Sequence, residues 1–220
     1  SGGALLAGDP HLGLSLPGTW YMARLEVGME WVEGATAPGV PFVVLGRTQS
    51  LAWSMTSNEA DLQDVVRIKA ANVDRRIPQT VRVKDGTPQD ITLMFSKAAP
   101  VIAGTVLDGI GDDGIALLAT ALSVDDTSPD ALAQLNRART IAGGIDALAR
   151  FRAPFMNVFL ADTQGGIAAV HAGDVPRRDG YSGRLPLQPG DVRWLAVNAA
   201  NRLSAIRNPS GGVLSNANER

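Results

Sequence analysis

Cysteine is missing from all 220 residues, and with it go thiolate catalysis, Cys-ligated zinc and disulfide staples. That absence leaves the compartment open, because exported proteins also do without cysteine. Histidine is nearly missing. His11 and His171 stand far apart with no clustered carboxylates beside them, which argues against a catalytic zinc site. A Ser-His-Asp triad needs only one histidine, but no Gly-x-Ser-x-Gly elbow is present, and His171 lies on an alternating segment that suits a structural role. No apolar run approaches the roughly 18 residues that a spanning helix needs. No cationic segment with an apolar core opens the sequence. The expectation is a cytosolic protein, or one whose signal belongs to a segment outside this sequence. A net charge of -2 and a pI near 5.7 leave no electrostatic footprint for nucleic acid. The basic stretch from Arg75-Arg76 to Lys84 is broken by Pro78 and alternates like a strand, so it reads as a solvated strand face.

What is present favours a folded, strand-rich domain. With 45% hydrophobic residues and a mean hydropathy of +0.04, the chain can bury a sizeable core. Its 24 glycines and 13 prolines punctuate short apolar segments. Trp20 to Val27 alternates large with small or charged residues, which predicts a strand with one buried face. Val43 to Gly46 and Leu51 to Met55 predict a strand pair across residues 47–50. Thr80–Gly86 and Asp90–Phe95 bracket an Asp-Gly turn, a strong hairpin signal. Ser128-Pro129-Asp130 resembles a helix cap with proline in the first turn, followed by Leu132, Leu135 and Ala138 at helical spacing. Gly144 to Phe151 predicts a second short helix. Met156–Asp162 and Gly166–His171 then straddle Thr163-Gln164-Gly165 as another hairpin. Strands, a helical pair and strands again make a layered α+β domain. We expect a single domain over 1–220, with a strand-rich excursion over about 66–127 and a helical insert over 128–151.

Gly109-Ile110-Gly111-Asp112-Asp113-Gly114 matches a dinucleotide-binding spacing, yet two aspartates stand where a pyrophosphate would approach. A glycine-rich turn is the better reading. The same stretch fails as an EF-hand loop because Ile110 takes a ligand position. No organic cofactor is expected.

Three blocks carry the most specific signal: Ala7-Gly8-Asp9-Pro10-His11-Leu12-Gly13, Leu51-Ala52-Trp53-Ser54-Met55-Thr56-Ser57 running on to Asp64, and Ser215-Asn216-Ala217-Asn218. Between them, in order, lie Leu135-Asn136-Arg137-Ala138-Arg139, Ala153-Pro154 with Asn157, Arg184-Leu185-Pro186 with Pro189-Gly190, and Asn208-Pro209-Ser210-Gly211-Gly212. Together they resemble the β chain of the penicillin acylase family over essentially the whole sequence. The resemblance implies an N-terminal-nucleophile hydrolase with an αββα sandwich, shared between an α chain and a β chain cut from one precursor, a zymogen exported to the periplasm or secreted. Its reaction implies a serine at the mature N-terminus whose own α-amino group is the general base. It also implies two oxyanion donors, which map onto the Asn218 side-chain amide and the Ser57 backbone N–H. His11 falls where the family orients the nucleophile. Leu12, Met55 and Thr56 are the local candidates for substrate contact. Asp61, Gln63 (through its carbonyl), Asp64 and Gly183 (through its carbonyl) fall where the family binds structural Ca²⁺, the remaining ligands coming from the α chain and the rest of the β chain.

The resemblance implies an amidohydrolase acting on linear non-peptide amides, such as acylated β-lactams or N-acyl homoserine lactones, with no nucleic-acid or membrane partner. Two other readings stay open: an intact small hydrolase using Ser1, and a non-catalytic binding or scaffold domain of the same fold. Ser1 is followed by Gly2-Gly3, not by the family's asparagine, and His11 follows it too closely. The expectation is therefore a β-chain fragment without the attacking serine. The isolated chain should show no amidase turnover; robust hydrolysis that Ser1→Ala abolishes would overturn this reading.

Overall fold

Short apolar segments separated by glycine and proline cannot each bury a face alone; here they pair edge to edge into sheets. The computed structural model describes residues 3–10, 12–97, 99–102, 114–188, 190–191, 194–195 and 204–218. The first strands are β1 (Tyr21–Val27), β2 (Glu30–Thr36), β3 (Leu45–Arg47), β4 (Leu51–Ser57) and β5 (Gln63–Ile68). Then come β6 (Arg75–Val81), β7 (Gln89–Ser96), β8 (Ala99–Ile102) and β9 (Gly114–Ala119). Two helices follow, α1 (Ser128–Leu135) and α2 (Ile141–Leu148). The last strands are β10 (Met156–Asp162), β11 (Ile167–Ala172), β12 (Arg177–Arg178), β13 (Trp194–Leu195) and β14 (Ala205–Arg207).

These elements form two compact units, one from residues 1–60, 124–175 and 198–220, the other from 61–123 and 176–197. The expected single domain with an excursion over 66–127 is thus divided differently. The second unit starts earlier and is completed by a later stretch, because Leu187 laces onto β5: its N–H donates to Val65 O and its carbonyl accepts from Arg67 N, both at 2.8 Å.

In the first unit, seven antiparallel strands run in the order β1-β2-β3-β4-β10-β11-β14. The period of two assigns the faces. On β4, Leu51, Trp53 and Met55 are buried, and across the ladder Val158 and Leu160 oppose Met55 and Trp53. Ala131, Leu135, Ile145 and Leu148 of the helical pair join the same core cluster. The helices are therefore the cover of this core rather than a peripheral insert. Trp53, 1% exposed, satisfies its indole N–H on Val44 O at 2.9 Å.

Several local expectations shift. β1 was expected to bury one face, but it is exposed along nearly all its length, being a sheet edge paired only with β2. Its Arg24 pairs with Glu33 of β2, which also pairs with Arg47 of β3. α2 starts earlier than Gly144, because the Thr140 hydroxyl accepts from Gly143 N at 3.2 Å and caps the helix there. Thr127, not Ser128, holds the cap position of α1; the Ser128 hydroxyl instead accepts from Arg152 N and Ala153 N, both at 2.9 Å. Gly34 and Gly46 oppose each other across β2 and β3. A Cβ on Gly34 would meet Leu45 O at 2.0 Å, and one on Gly46 would meet Glu33 O at 2.2 Å.

The second unit holds a five-stranded sheet, β5-β9-β8-β7-β6, and the short pair β12-β13. The hairpin expected around Asp85-Gly86 is present as β6 and β7, joined by a loop from Val81 to Gln89 rather than a two-residue turn. Arg75 and Arg76 are exposed on β6, as a solvated face requires. Of the Gly-x-Gly-x-x-Gly run, only Gly114 lies within the described residues. No helix among the described residues is long and apolar enough to cross a membrane.

One tie on the helical pair is a side chain held on the segment leading into β3. The Asn136 amide donates to Val43 O and accepts from Val43 N, both at 2.8 Å, closing a two-bond ring as a neighbouring strand would. Asn136→Ala leaves both backbone groups short of a partner and is expected to cost about 1–3 kcal/mol in urea unfolding of the complete protein. Alanine at exposed Arg137 should change stability by less than about 0.5 kcal/mol.

Candidate active site

Polar side chains buried in an apolar strand must find partners, and Asn157 of β10 is such a residue at 3% exposed. It pairs across the ladder with Thr56, so the two share the sheet face opposite the helices. Its carbonyl oxygen accepts from Asn58 Nδ2 at 3.0 Å, and its Nδ2 donates to Asn216 Oδ1 at 3.2 Å. The same Asn216 oxygen accepts the backbone N–H of Asn218 at 2.9 Å. The Asn218 amide in turn donates to Ser57 O at 2.8 Å, at the end of β4. Four amides thus chain the terminal Asn216–Asn218 segment onto the ends of two central strands. Asn218 takes a left-handed backbone conformation, φ 64°, which asparagine tolerates better than most residues. A side-chain amide carries two N–H donors, and Ser57 O uses one. A second donor can therefore face a developing negative oxygen beside the strand end.

The structure brings together Ser57 and Asn218, the two expected oxyanion donors. It separates two of the expected substrate contacts. Met55, 4% exposed, packs in the helix-covered core, whereas Thr56 lies on the other face. Adjacent strand residues point to opposite sides, so Met55 and Thr56 cannot line one surface. Leu12 is half-exposed outside any regular element. His11 and Ser1 lie outside the described residues. A hollow of about 790 Å³ lies over Ala52 and Ser54, walled by Leu6, Trp20 and Met22; neither Ser57 nor Asn218 lines it.

A second polar cluster, wholly within the other unit, gathers the four expected calcium positions. Asp64, the second residue of β5, has its side chain 1% exposed and faces Arg178 of β12, whose side chain is 11% exposed. Arg178 Nε donates to both Asp64 oxygens at 3.1 and 3.0 Å. Its terminal nitrogens reach Asp61 O at 3.3 Å, Gln63 O at 3.1 Å and the Asp61 carboxylate at 3.0 Å. Trp194, opposite Arg178 on β13, donates its indole N–H to Asp64 at 2.5 Å, and Tyr181 donates its hydroxyl at 3.2 Å. Burial opposes the charge on Arg178, but the hydrogen bond and charge of Asp64, then the charge of Asp61, outweigh it and hold the guanidinium above the ordinary arginine range. Gly183, at φ 77°, leaves no room for a Cβ, which would meet Arg178 Nε at 2.6 Å and Asp64 Oδ1 at 2.7 Å. As placed, this donor set fits a guanidinium and does not fit calcium, because its oxygens already converge on Arg178.

Sequence reasoning missed the Asn58–Asn157–Asn216 chain as a unit and missed Arg178, Tyr181 and Trp194. Asn157 carried a legible signal, a lone amide amid Met156–Ala161. Arg178 carried little, since its carboxylate partner lies 114 residues away.

The penicillin amidase family model matches residues 1–220. A penicillin acylase 2 proenzyme from a Pseudomonas species is 26% identical over 235 residues, covering 100% of this chain and 30% of that protein. The acyl-homoserine lactone acylase QuiP from Pseudomonas fluorescens is 28% identical over 237 residues, covering 100% of this chain and 28% of that protein. The chain therefore spans under a third of the length of these relatives. Among solved structures, the thermostable penicillin G acylase from Alcaligenes faecalis superposes with a TM-score of 0.80 at 21% identity, over 96% of this chain and 40% of that one, which establishes the fold. Matched from its first residue to its last, the chain belongs to the penicillin amidase family.

Proposed function

We propose that this chain supplies the oxyanion-binding wall of an amidohydrolase that cleaves linear non-peptide amides, of the acylated β-lactam or N-acyl homoserine lactone type. The observation that carries this reading is the Asn218 amide held 2.8 Å from the carbonyl oxygen that ends β4. In the reaction, the hydroxyl of a mature N-terminal serine attacks the amide carbonyl, and the serine's α-amine receives the proton. The carbonyl oxygen becomes an oxyanion, which the free N–H of Asn218 and the backbone N–H of Ser57 stabilise as charge develops. Collapse of the tetrahedral intermediate expels the amine, and water then releases the acyl group from the serine. Asn157 and Asn216 position the Asn218 backbone, while Thr56 lines the same sheet face.

The substrate class is supported by the relatives, which are named as a penicillin acylase and an acyl-homoserine lactone acylase. One is named a proenzyme, which supports a partner chain from a common precursor. In the complete protein, Asn218→Ala should lower kcat roughly 10²–10³-fold against a chromogenic acyl amide, the usual cost of one oxyanion donor. Ser57→Ala should have little effect, because its backbone N–H survives the change. Equal losses from the two substitutions, or an unchanged kcat in Asn218→Ala, would sink the assignment.

A further inference from the structure

We propose that the Arg178 guanidinium is the resident cation of the Asp61–Gln63–Asp64 site, so that this protein closes the site without calcium. The inference is independent of the reaction proposed above, since it concerns charge compensation in the other unit.

A carboxylate as buried as Asp64 has to be matched by a charge or by several donors. Here it has both. Arg178 lies along both carboxylate oxygens, while Trp194 and Tyr181 donate to one of them. The oxygens that a calcium ion would also need, the Asp61 carboxylate and the carbonyls of Asp61 and Gln63, are engaged by the same guanidinium. Calcium takes its oxygens at 2.3–2.6 Å, whereas the Asp61 and Asp64 carboxylates and the Asp61 and Gln63 carbonyls are spaced at hydrogen-bond distance around a planar fork. Arginine stays protonated under any native condition, so it cannot leave room by losing its charge. A divalent ion among these oxygens would face that fixed positive charge across a few ångströms. Gly183 fits the same account. Its bare backbone closes over the Arg178–Asp64 pair, where a side chain would collide with both partners.

The clamp joins the start of β5 to β12, and the backbone pairing of Leu187 with Val65 and Arg67 continues it. A permanent side-chain cation gives this junction a stability that chelators cannot remove.

Thermal unfolding of the complete protein in 5 mM CaCl₂ and in EDTA tests the proposal. The wild-type Tm should agree in the two buffers. Arg178→Gln should lower it by on the order of 10 °C, equally in both, as loss of one partner of a buried ion pair predicts. If Arg178→Gln does not fold, Arg178→Lys keeps the charge but not the fork, and should melt below wild type with the same indifference to calcium. A calcium-dependent rise in the wild-type Tm that Asp61→Asn removes would overturn the proposal. So would an Arg178→Gln protein as stable as wild type.

Discussion

The unbroken pairing of β4 with β10, from Leu51 against Asp162 to Ser57 against Met156, is the constraint on which the first unit rests. Because side chains alternate, one register decides two surfaces at once. Trp53, Met55, Val158 and Leu160 are sent into the core under the helices, and Ser54, Thr56 and Asn157 to the other side. A slip of one residue would put the indole of Trp53 in place of the small residues and bury Thr56 in the core. The position of Ser57 at the strand end, and hence the seat of Asn218, follows from the same register. The placement of Ser57 and Asn218 is thus a by-product of core packing.

Much of this was legible in the sequence where a local rule decides it. The hairpin through Thr163-Gln164-Gly165 and the strand pair around residues 47–50 follow from alternation interrupted by turn residues. Where the structure departs from expectation, a contact distant in sequence decides. β1 alternates but lies at a sheet edge, and no local pattern distinguishes an edge strand from a central one. The start of α2 was set by the Thr140 cap, which outweighed the helical spacing read farther along. Met55 and Thr56 were both expected as substrate contacts, yet adjacency along a strand sets them on opposite faces. The cation facing Asp61 and Asp64 was invisible because the chain returns to them only at β12.

The two polar clusters solve different electrostatic problems. The asparagine chain is neutral, so it can hold an orientation without adding charge where a reaction would develop one. The Asp64–Arg178 cluster is ionic and closed, with every principal oxygen already engaged. The first retains a spare donor and suits transient charge; the second spends its donors on the fold.

The facing glycines of β2 and β3 carry a consequence for anyone diversifying this protein. The atoms nearest to a side chain at Gly34 and Gly46, Leu45 O and Glu33 O, belong to the main chain of the opposite strand, so shrinking a neighbouring side chain such as Val43 cannot make space. Both positions are closed to variation together, and a library spread evenly over the lining of the adjacent hollow would lose its members at these two codons. Variation confined to Met22, Ala35, Ala52 and Ser54 reshapes the same surface while leaving the backbone approach intact.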